Sequence, residues 1–263
     1  MNDLRDGPQA QTHTQREEVL QRIIADLHAT YGQKLLAIGL YGSMARQEDL
    51  PFSDIELFCI VEGTHIDHSE EWVYGLGKAE VNIYSYDRAM QRAQVVDMKW
   101  PLRQGKFLRA QQLYGEPHLL QDLRQLVLAV DLKRFHETIA AMAIGEVYEW
   151  IGKIRNARSS GYYYALPGIA CDMAEHVALM LGLAHRFCYT TGVRMLEESL
   201  QLPDLPEGYE ALCQLVMSGQ LSDNDLIIES CERLWQGLNV WLSLHQIDMT
   251  PYTTWPFHSR SAS

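Results

Sequence analysis

The spacing of apolar residues near the start of the chain is helical, and it then gives way to continuous or alternating runs. The first pattern predicts an amphipathic helix that a capping box of Thr14 and Glu17 opens and Gly32 ends. Its apolar face comprises Leu20, Ile23, Ile24, Leu27 and Tyr31. Three later runs predict strands: LLAIGLYG, DIELFCIV and AEVNIYSY. Strands with helices between them predict an α/β domain.

The second half of the chain has a different texture. After about Leu119 strand signals stop, and long helical periodicities cover residues 131–158, 166–186 and 223–245. A turn-rich stretch at 202–209 separates the last two. We therefore predict an α/β domain over residues 1–127 and an all-α helical bundle over residues 128–263.

Composition narrows the classes of partner and compartment. The 263 residues include 34 acids and 22 bases, a formal net charge of −12, which disfavours nucleic acid and favours a cationic partner. Five cysteines without a C-x-x-C pair indicate reduced thiols. The N-terminus lacks the apolar core of a signal peptide, and no apolar run reaches the ~18 residues of a membrane span. We predict a cytoplasmic protein without a membrane partner.

The stretch LYGSMARQEDLPFSDIELFCIV places two carboxylates on one strand, after a Gly-Ser turn. Because side chains alternate along a strand, Asp54 and Glu56 point to one face. Two adjacent carboxylates repel each other, and a divalent cation such as Mg²⁺, which also binds substrate phosphates, relieves that repulsion. At the turn, Gly42 permits close backbone approach, and Ser43 offers a hydroxyl and an amide to a phosphate.

A Gly-Ser pair alone is far more typical of an ordinary turn before a solvent-facing strand. Its combination with D-x-E, between two strands, favours a metal and phosphate site. At these residues the sequence resembles the nucleotidyltransferase superfamily that includes DNA polymerase β. That resemblance implies a mixed sheet in the N-terminal domain.

A closer resemblance extends over nearly the whole chain. The segments that carry it are AIGLYGSMARQEDLPFSDIELFC, HSEEWVYGLGKAEVNIYS, FHETIAAMAIGEVYEWIGKIRNAR, HRFCYTT and GYEALCQLVMSGQLSD. They are similar to the aminoglycoside 4-prime-O-nucleotidyltransferases, the kanamycin nucleotidyltransferase group. The resemblance implies transfer of a nucleoside monophosphate, most often AMP from ATP, from a Mg-nucleotide to an antibiotic hydroxyl, which confers resistance. It also implies a homodimer with active sites at the subunit interface.

The resemblance assigns site residues in the first domain. It places Mg²⁺ at Asp54 and Glu56, with Glu80 as a third carboxylate that completes the metal site or receives a drug ammonium. It assigns binding of the nucleotide phosphates to Gly42, Ser43 and Arg46. Glu71, Lys78 and Glu80 are the substrate-binding residues of the next segments. For Arg46, Glu71 and Glu80 a surface arginine, a charged loop and an exposed strand face stay open as readings of the pattern alone.

The helix GEVYEWIGKIR supplies the remaining site residues. Glu146, Glu149 and Lys153 are spaced i, i+3 and i+7, which predicts one helix face. From the spacing alone, a surface ion pair between Glu149 and Lys153 is the favoured interpretation. The resemblance implies that Glu149 is the general base and Lys153 a cation near the phosphates. Related enzymes carry a glutamate where this chain has Gly145, so we place a substrate-binding carboxylate at Glu146 instead.

Two other classes of function fit parts of this sequence. One is a nucleotidyltransferase that modifies a protein side chain. The other is a noncatalytic module that neutralises a toxin. The intact Ser43, Asp54, Glu56 and Glu80, with a large helical half in the same chain, count against the noncatalytic module.

Overall fold

The computed structural model describes residues 7–254, and the chain divides into two compact units. Unit 1 comprises Met1–Val95 and Gln104–Val130, and unit 2 comprises Val96–Arg103 and Asp131–Ser263. The predicted boundary between residues 127 and 128 did not anticipate that residues 96–103 belong with the helical unit. That segment carries Trp100, which is buried. Its ring centroid lies 5.0 Å from that of Phe135.

Unit 1 is built on a five-stranded mixed sheet in the order β3-β4-β2-β1-β5. The strands are β1 Leu35–Tyr41, β2 Ile55–Val61, β3 Asp67–Tyr74, β4 Gly77–Ser85 and β5 Gln111–Gly115. The helices are α1 His13–Tyr31, α2 Gly42–Ala45, α3 Tyr86–Ala93, α5 Gly105–Arg109 and α6 Pro117–Leu128, and α4 Trp100–Arg103 lies in unit 2. Strands β2 and β4 are parallel, and the other neighbours are antiparallel.

The two faces of this sheet differ in composition because side chains alternate along each strand. One face is apolar and packs on α1 through Leu20, Ile23 and Leu27. Its strand residues include Ile55, Leu57, Cys59, Val61, Ala79, Val81 and Ile83. The intervening positions of β2 and β4 form the opposite face, which carries Glu56 on β2 and Lys78, Glu80 and Asn82 on β4. We call this the polar face.

Local signals explain most elements of unit 1 and the errors of the prediction. The cap of α1 is Thr12 with Gln15, so the predicted capping box of Thr14 and Glu17 was wrong by two residues. Gly32 ends the helix as predicted. The prediction missed β3 and β5, because β3 is a mostly exposed edge strand of charged and polar residues and β5 spans only five residues.

A buried ion pair ties the loop between α2 and β2 to the start of α1. The side chains of Arg16 and Asp49 are only 1% and 3% exposed. Arg16 Nε donates to Asp49 Oδ2 at 2.9 Å, and Arg16 Nη1 donates to the carbonyls of Gln11 and Pro51. The loop that leads into Asp54 is therefore anchored at its middle.

Loss of this anchor is expected to destabilise the protein strongly. Removing one partner leaves a buried charge, so Asp49→Ala should lower the free energy of unfolding by about 3–5 kcal/mol in urea unfolding at neutral pH. The exposed pair of Arg194 and Glu197 provides the control, and Glu197→Ala should cost under about 1 kcal/mol. Equal losses in the two variants would contradict a special role for the buried pair.

The same pair predicts a direction for acid unfolding. Burial opposes ionisation of Asp49, but hydrogen bonds from Arg16 and His13 outweigh it and hold its pKa below the ordinary value of 3.8. A depressed carboxyl pKa stabilises the fold fully above the unfolded pKa and ceases to do so as pH falls through the folded one. This contribution is therefore present at neutral pH and lost below about pH 4.

Unit 2 is helical, as the periodicity predicted. Its longer helices are α7 Leu132–Met142, α8 Glu149–Ser160, α9 Leu166–Ala184, α11 Tyr209–Ser218 and α12 Asn224–Leu244, with the short α10 Met195–Ser199 and α13 Thr250–Thr253. Helix α9 is apolar on almost all sides and contacts α4, α7, α8, α10, α11 and α12. Contrary to the expectation that no apolar run reaches the length of a membrane span, one helix of the described chain, Tyr163–Ala184, is long and apolar enough to cross a membrane. Of its most apolar stretch 67% is buried, as in the core helix of a globular unit.

A π-helical segment, Ala143–Tyr148, joins α7 to α8 without a break. Its wider turn changes the angular spacing of side chains relative to a regular α-helix. The i, i+3, i+7 argument for one face assumed a regular helix, so it does not hold from Glu146 to Glu149. This is a correction to the prediction, because Glu146 lies within the π segment and Glu149 begins α8.

Candidate active site

The strand registers place four polar side chains in one row across the sheet. Tyr41 on β1 is opposite Glu56 on β2, Glu56 is opposite Glu80 on β4, and Glu80 is opposite Glu71 on β3. Neighbouring strands lie about 4.8 Å apart, so consecutive members of the row are lateral neighbours. Three carboxylates that are far apart in sequence thus lie on the polar face.

The carboxylate of Glu56 lies directly against the Gly-Ser turn. Gly42 has a φ of +73°, and a Cβ at this position would lie 1.9 Å from Glu56 Oε2. Both the backbone conformation and the close approach require glycine here. The turn that was predicted to hold a phosphate is therefore in contact with a predicted metal ligand.

The electrostatic environment of Glu56 disfavours its charge. Burial, followed by the charges of Asp54 and Glu80, raises its pKa to about 7, and the charges of Arg46 and Lys78 offset this only in part. No ion pair within the described residues joins Glu56 to a cation. A cation bound beside Glu56 would offset the negative charges of Glu56 and of its acidic neighbours.

Asp54 lies immediately before β2 and is half-buried. Among residues 7–254, no three His, Cys, Asp or Glu side chains converge as metal ligands. Asp54, Glu56 and Glu80 therefore do not form a closed three-carboxylate cage. Mg²⁺ is usually held by one or two carboxylates together with substrate phosphates and water, so such a cage is not required.

The remaining predicted residues of unit 1 lie around this row. Ser43 belongs to the short helix α2, and Arg46, which follows it, is paired with Glu48 at 2.9 Å. Lys78 Nζ lies 2.6 Å from Glu71 Oε2, and this hydrogen bond raises the pKa of the lysine. Glu71 is on strand β3, so the alternative of a charged loop is wrong.

Four polar residues that were not predicted as site residues form a hydrogen-bonded network that ends at Glu80: Tyr41, Asn82, Tyr84 and Lys106. Asn82 Nδ2 donates to Glu80 Oε1 at 2.6 Å and to Tyr41 Oη at 2.8 Å. Tyr84 donates to Asn82 Oδ1, and Lys106 Nζ donates to Tyr84 Oη. Burial, and then the Glu80 and Glu56 charges, raise the pKa of Tyr41 far above its ordinary value, so this hydroxyl stays protonated. The alternation of β4 placed Asn82 beside Glu80, but no sequence signal indicated Lys106.

The predicted residues of the second half lie in unit 2. Lys153 Nζ pairs with Glu149 Oε1 at 2.7 Å and lies 3.9 Å from the ring centre of Trp150. The side chains of Glu149 and Lys153 are 60% and 44% exposed. Glu146 instead approaches His176 on α9 at 3.5 Å. Glu149 and Lys153 are thus together, whereas Glu146 has a different partner.

Comparison with known proteins gives consistent results for sequence and fold. A family model described as the KNTase C-terminal domain matches residues 117–248. Two proteins named aminoglycoside nucleotidyltransferase (4′), from Bacillus sp and Staphylococcus aureus, are each 38% identical over 239 residues. The alignments cover 91% of this chain and 94% of each relative.

A solved structure supports the fold. The nucleotidyltransferase-like protein from Exiguobacterium sibiricum superposes with a TM-score of 0.51 at 14% identity, over 92% of this chain and 79% of that one. The predicted fold class, an α/β domain with a mixed sheet followed by an all-α domain, is confirmed. With two close relatives aligned over nearly their whole length, the chain belongs to the family of aminoglycoside nucleotidyltransferases (4′) and is a nucleotidyltransferase.

Proposed function

We propose that the protein transfers AMP from ATP to the 4′ hydroxyl of aminoglycoside antibiotics and thereby confers resistance. The family supports nucleotidyl transfer to an aminoglycoside. The observation that carries the proposal is the placement of Glu56 against Gly42, between the charges of Asp54 and Glu80. Phosphate-binding and cation-binding groups meet there.

Mg²⁺ fits this position on the chemistry of its donors. Carboxylate oxygens are its preferred protein ligands, and Glu56 has a raised pKa because its neighbours are also negative. We propose that Asp54 and Glu56 hold the ion and that Glu80 completes the site or receives a drug ammonium. When bound, Mg²⁺ would neutralise charge on the transferring phosphate.

The chain's own residues would then complete the reaction. The amide and hydroxyl of Ser43 and the guanidinium of Arg46 would contact the phosphates beside Gly42. Glu149 would take the proton of the drug hydroxyl. At the same time the hydroxyl oxygen would bond to the α-phosphorus of the nucleotide, and pyrophosphate would leave. Lys153 would stabilise the negative charge on the phosphates.

Drug binding would use acidic side chains other than Asp54 and Glu56. Glu71, Glu80 and Glu146 are the proposed acceptors for the ammonium groups of the antibiotic. Glu71 is already paired with Lys78, but this pair is exposed, so replacing the lysine by a drug ammonium costs little. The resemblance implies a glutamate where this chain has Gly145, so the proposed substrate class is aminoglycosides and not a particular range of these drugs.

A radiolabelled-nucleotide assay tests this function directly. The purified protein, Mg²⁺ and each labelled nucleoside triphosphate would be incubated with an aminoglycoside panel that includes a drug lacking the 4′ hydroxyl. We expect label on drugs with a 4′ hydroxyl, strongest with ATP, and none on the drug that lacks it. Label on protein substrates but on no drug would overturn the proposal.

We also propose a cytoplasmic homodimer, on the family resemblance alone. Sedimentation equilibrium of the purified protein would give a mass of about twice the 30.1 kDa chain. A monomer that transfers nucleotide at the wild-type rate would contradict the dimer.

A further inference from the structure

A chain of hydrogen bonds runs within unit 1 from Lys106 on α5 to Glu80 on β4. Lys106 Nζ donates to Tyr84 Oη at 2.6 Å. Tyr84 Oη donates to Asn82 Oδ1 at 3.0 Å, and Asn82 Nδ2 donates to Glu80 Oε1 at 2.6 Å. The Lys106 ammonium also lies 5.1 Å and 5.3 Å from the ring centres of Tyr84 and Phe107.

The lysine at one end sets the direction of every bond in this chain. An ammonium has three donors and no acceptor, so Tyr84 must accept from Lys106 and turn its own proton toward Asn82. Asn82 must then present its carbonyl oxygen to Tyr84 and its NH₂ group to Glu80. Loss of the lysine removes the donor that fixes this order, and an amide flip would then turn the Asn82 oxygen toward the carboxylate.

The orientation of Asn82 in turn decides which oxygen of Glu80 is engaged. Oε1 accepts the short bond from Asn82 and longer contacts of 3.5 Å each from Tyr41 and Ser69. In the part of the chain that the structure describes, no hydrogen bond reaches Oε2. The carboxylate is therefore held by one oxygen and presents the other.

We propose that Lys106, Tyr84 and Asn82 are positioning residues that fix Glu80 so that its Oε2 accepts a cation. The cation is either the divalent metal or an ammonium of the drug, and both interact with a carboxylate oxygen in the same way. The proposal rests on the proposed function and deepens it. The hydrogen-bonded chain of Lys106, Tyr84 and Asn82, here called the relay, adds three residues on which cation binding by Glu80 depends.

Four variants separate positioning from folding. Lys106→Met removes the donor but keeps an unbranched side chain, and Tyr84→Phe interrupts the relay while leaving the ring packing intact. Lys106→Arg keeps a group that donates and cannot accept. Lys133→Met is the matched control, because Lys133 is 77% exposed and belongs to a surface pair. Thermal unfolding of each variant reports on the fold.

Two binding measurements identify the cation independently of turnover. Electron paramagnetic resonance gives the Mn²⁺ dissociation constant in the presence of a nonhydrolysable ATP analogue, and calorimetry gives that of kanamycin. We expect Lys106→Met and Tyr84→Phe to raise one of these constants about tenfold, the cost typical of losing a charged hydrogen bond or an outer partner of a ligand. Lys106→Arg should recover most of that loss, and Lys133→Met should change neither constant.

The dissociation constant that rises identifies the cation that Glu80 binds, and a rise in either constant supports the relay. If both dissociation constants stay at wild-type values in Lys106→Met and Tyr84→Phe, the relay does not position Glu80. A lowered melting temperature with unchanged constants overturns it in the same way. Wild-type nucleotidyl transfer to kanamycin is measured in parallel, so a failure of the proposed function would appear in the unmodified protein.

Discussion

Replacement of Asp54 by Asn, or of Glu56 by Gln, is expected to abolish nucleotidyl transfer without unfolding the protein. Each change removes one of two charges that flank the proposed Mg²⁺ position. A metal that neutralises phosphoryl charge contributes several kcal/mol to catalysis, so kcat/KM should fall by about 10³-fold or more. Labelled-nucleotide transfer at saturating Mg²⁺ measures the loss.

The stability of the same variants sharpens this test. The pKa of Glu56 is raised by burial and by Asp54 and Glu80, which means that the fold disfavours its ionised form. A neutral glutamine removes that penalty, so the melting temperature of Glu56→Gln in metal-free buffer should equal or exceed that of the wild type. Loss of function with retained stability is typical of a residue kept for chemistry.

A control just beyond the same strand guards against a general effect of lost charge. Glu62 follows the other end of β2 and is exposed. Glu62→Gln should therefore transfer nucleotide at the wild-type rate. Substantial turnover by Asp54→Asn in Mg²⁺ would refute the metal assignment.

Substitution of Glu149 by Gln is expected to lower kcat by about 10²–10⁴-fold while the drug KM changes much less. Glutamine keeps the size of the side chain and part of its hydrogen bonding but cannot take a proton. The transition state is harmed more than the ground state. Steady-state kinetics with ATP and kanamycin, beside the melting temperature, measure both effects.

The geometry of Glu149 also permits a simpler explanation, which the same experiment tests. Glu149 and Lys153 form an exposed i, i+4 pair, and such a pair contributes under about 1 kcal/mol of stability and nothing to catalysis. Lys133 and Glu137 form a comparable exposed pair on α7. Glu137→Gln is the control and should retain wild-type kcat. A wild-type kcat in Glu149→Gln would reduce Glu149 to a surface ion pair.

Elements with a strong periodic signal could be predicted from the sequence. The apolar runs of β1 and β2 arise because both faces of these strands are largely buried. The alternation of β4 and the helical spacing of unit 2 arise because one face of the element is more buried than the other. β3 lacks that signal, since both of its faces are largely exposed at the sheet edge. The π segment before Glu149 is likewise not indicated by the sequence spacing, which assumes a regular α-helix.

The sequence by itself determined the groups that are close along the chain: the Gly42–Ser43 turn, and Asp54 with Glu56 on one side of one strand. Strand alternation is a local property, so two residues suffice to establish it. Only the tertiary structure brought Glu80 beside Glu56, because that requires the direct parallel pairing of β4 with β2, while β3, which lies between them in sequence, takes the sheet edge. It also set Lys106 against Tyr84, and residues 96–103 in the helical unit. Contacts between distant segments depend on strand order and register, which no single stretch of sequence encodes.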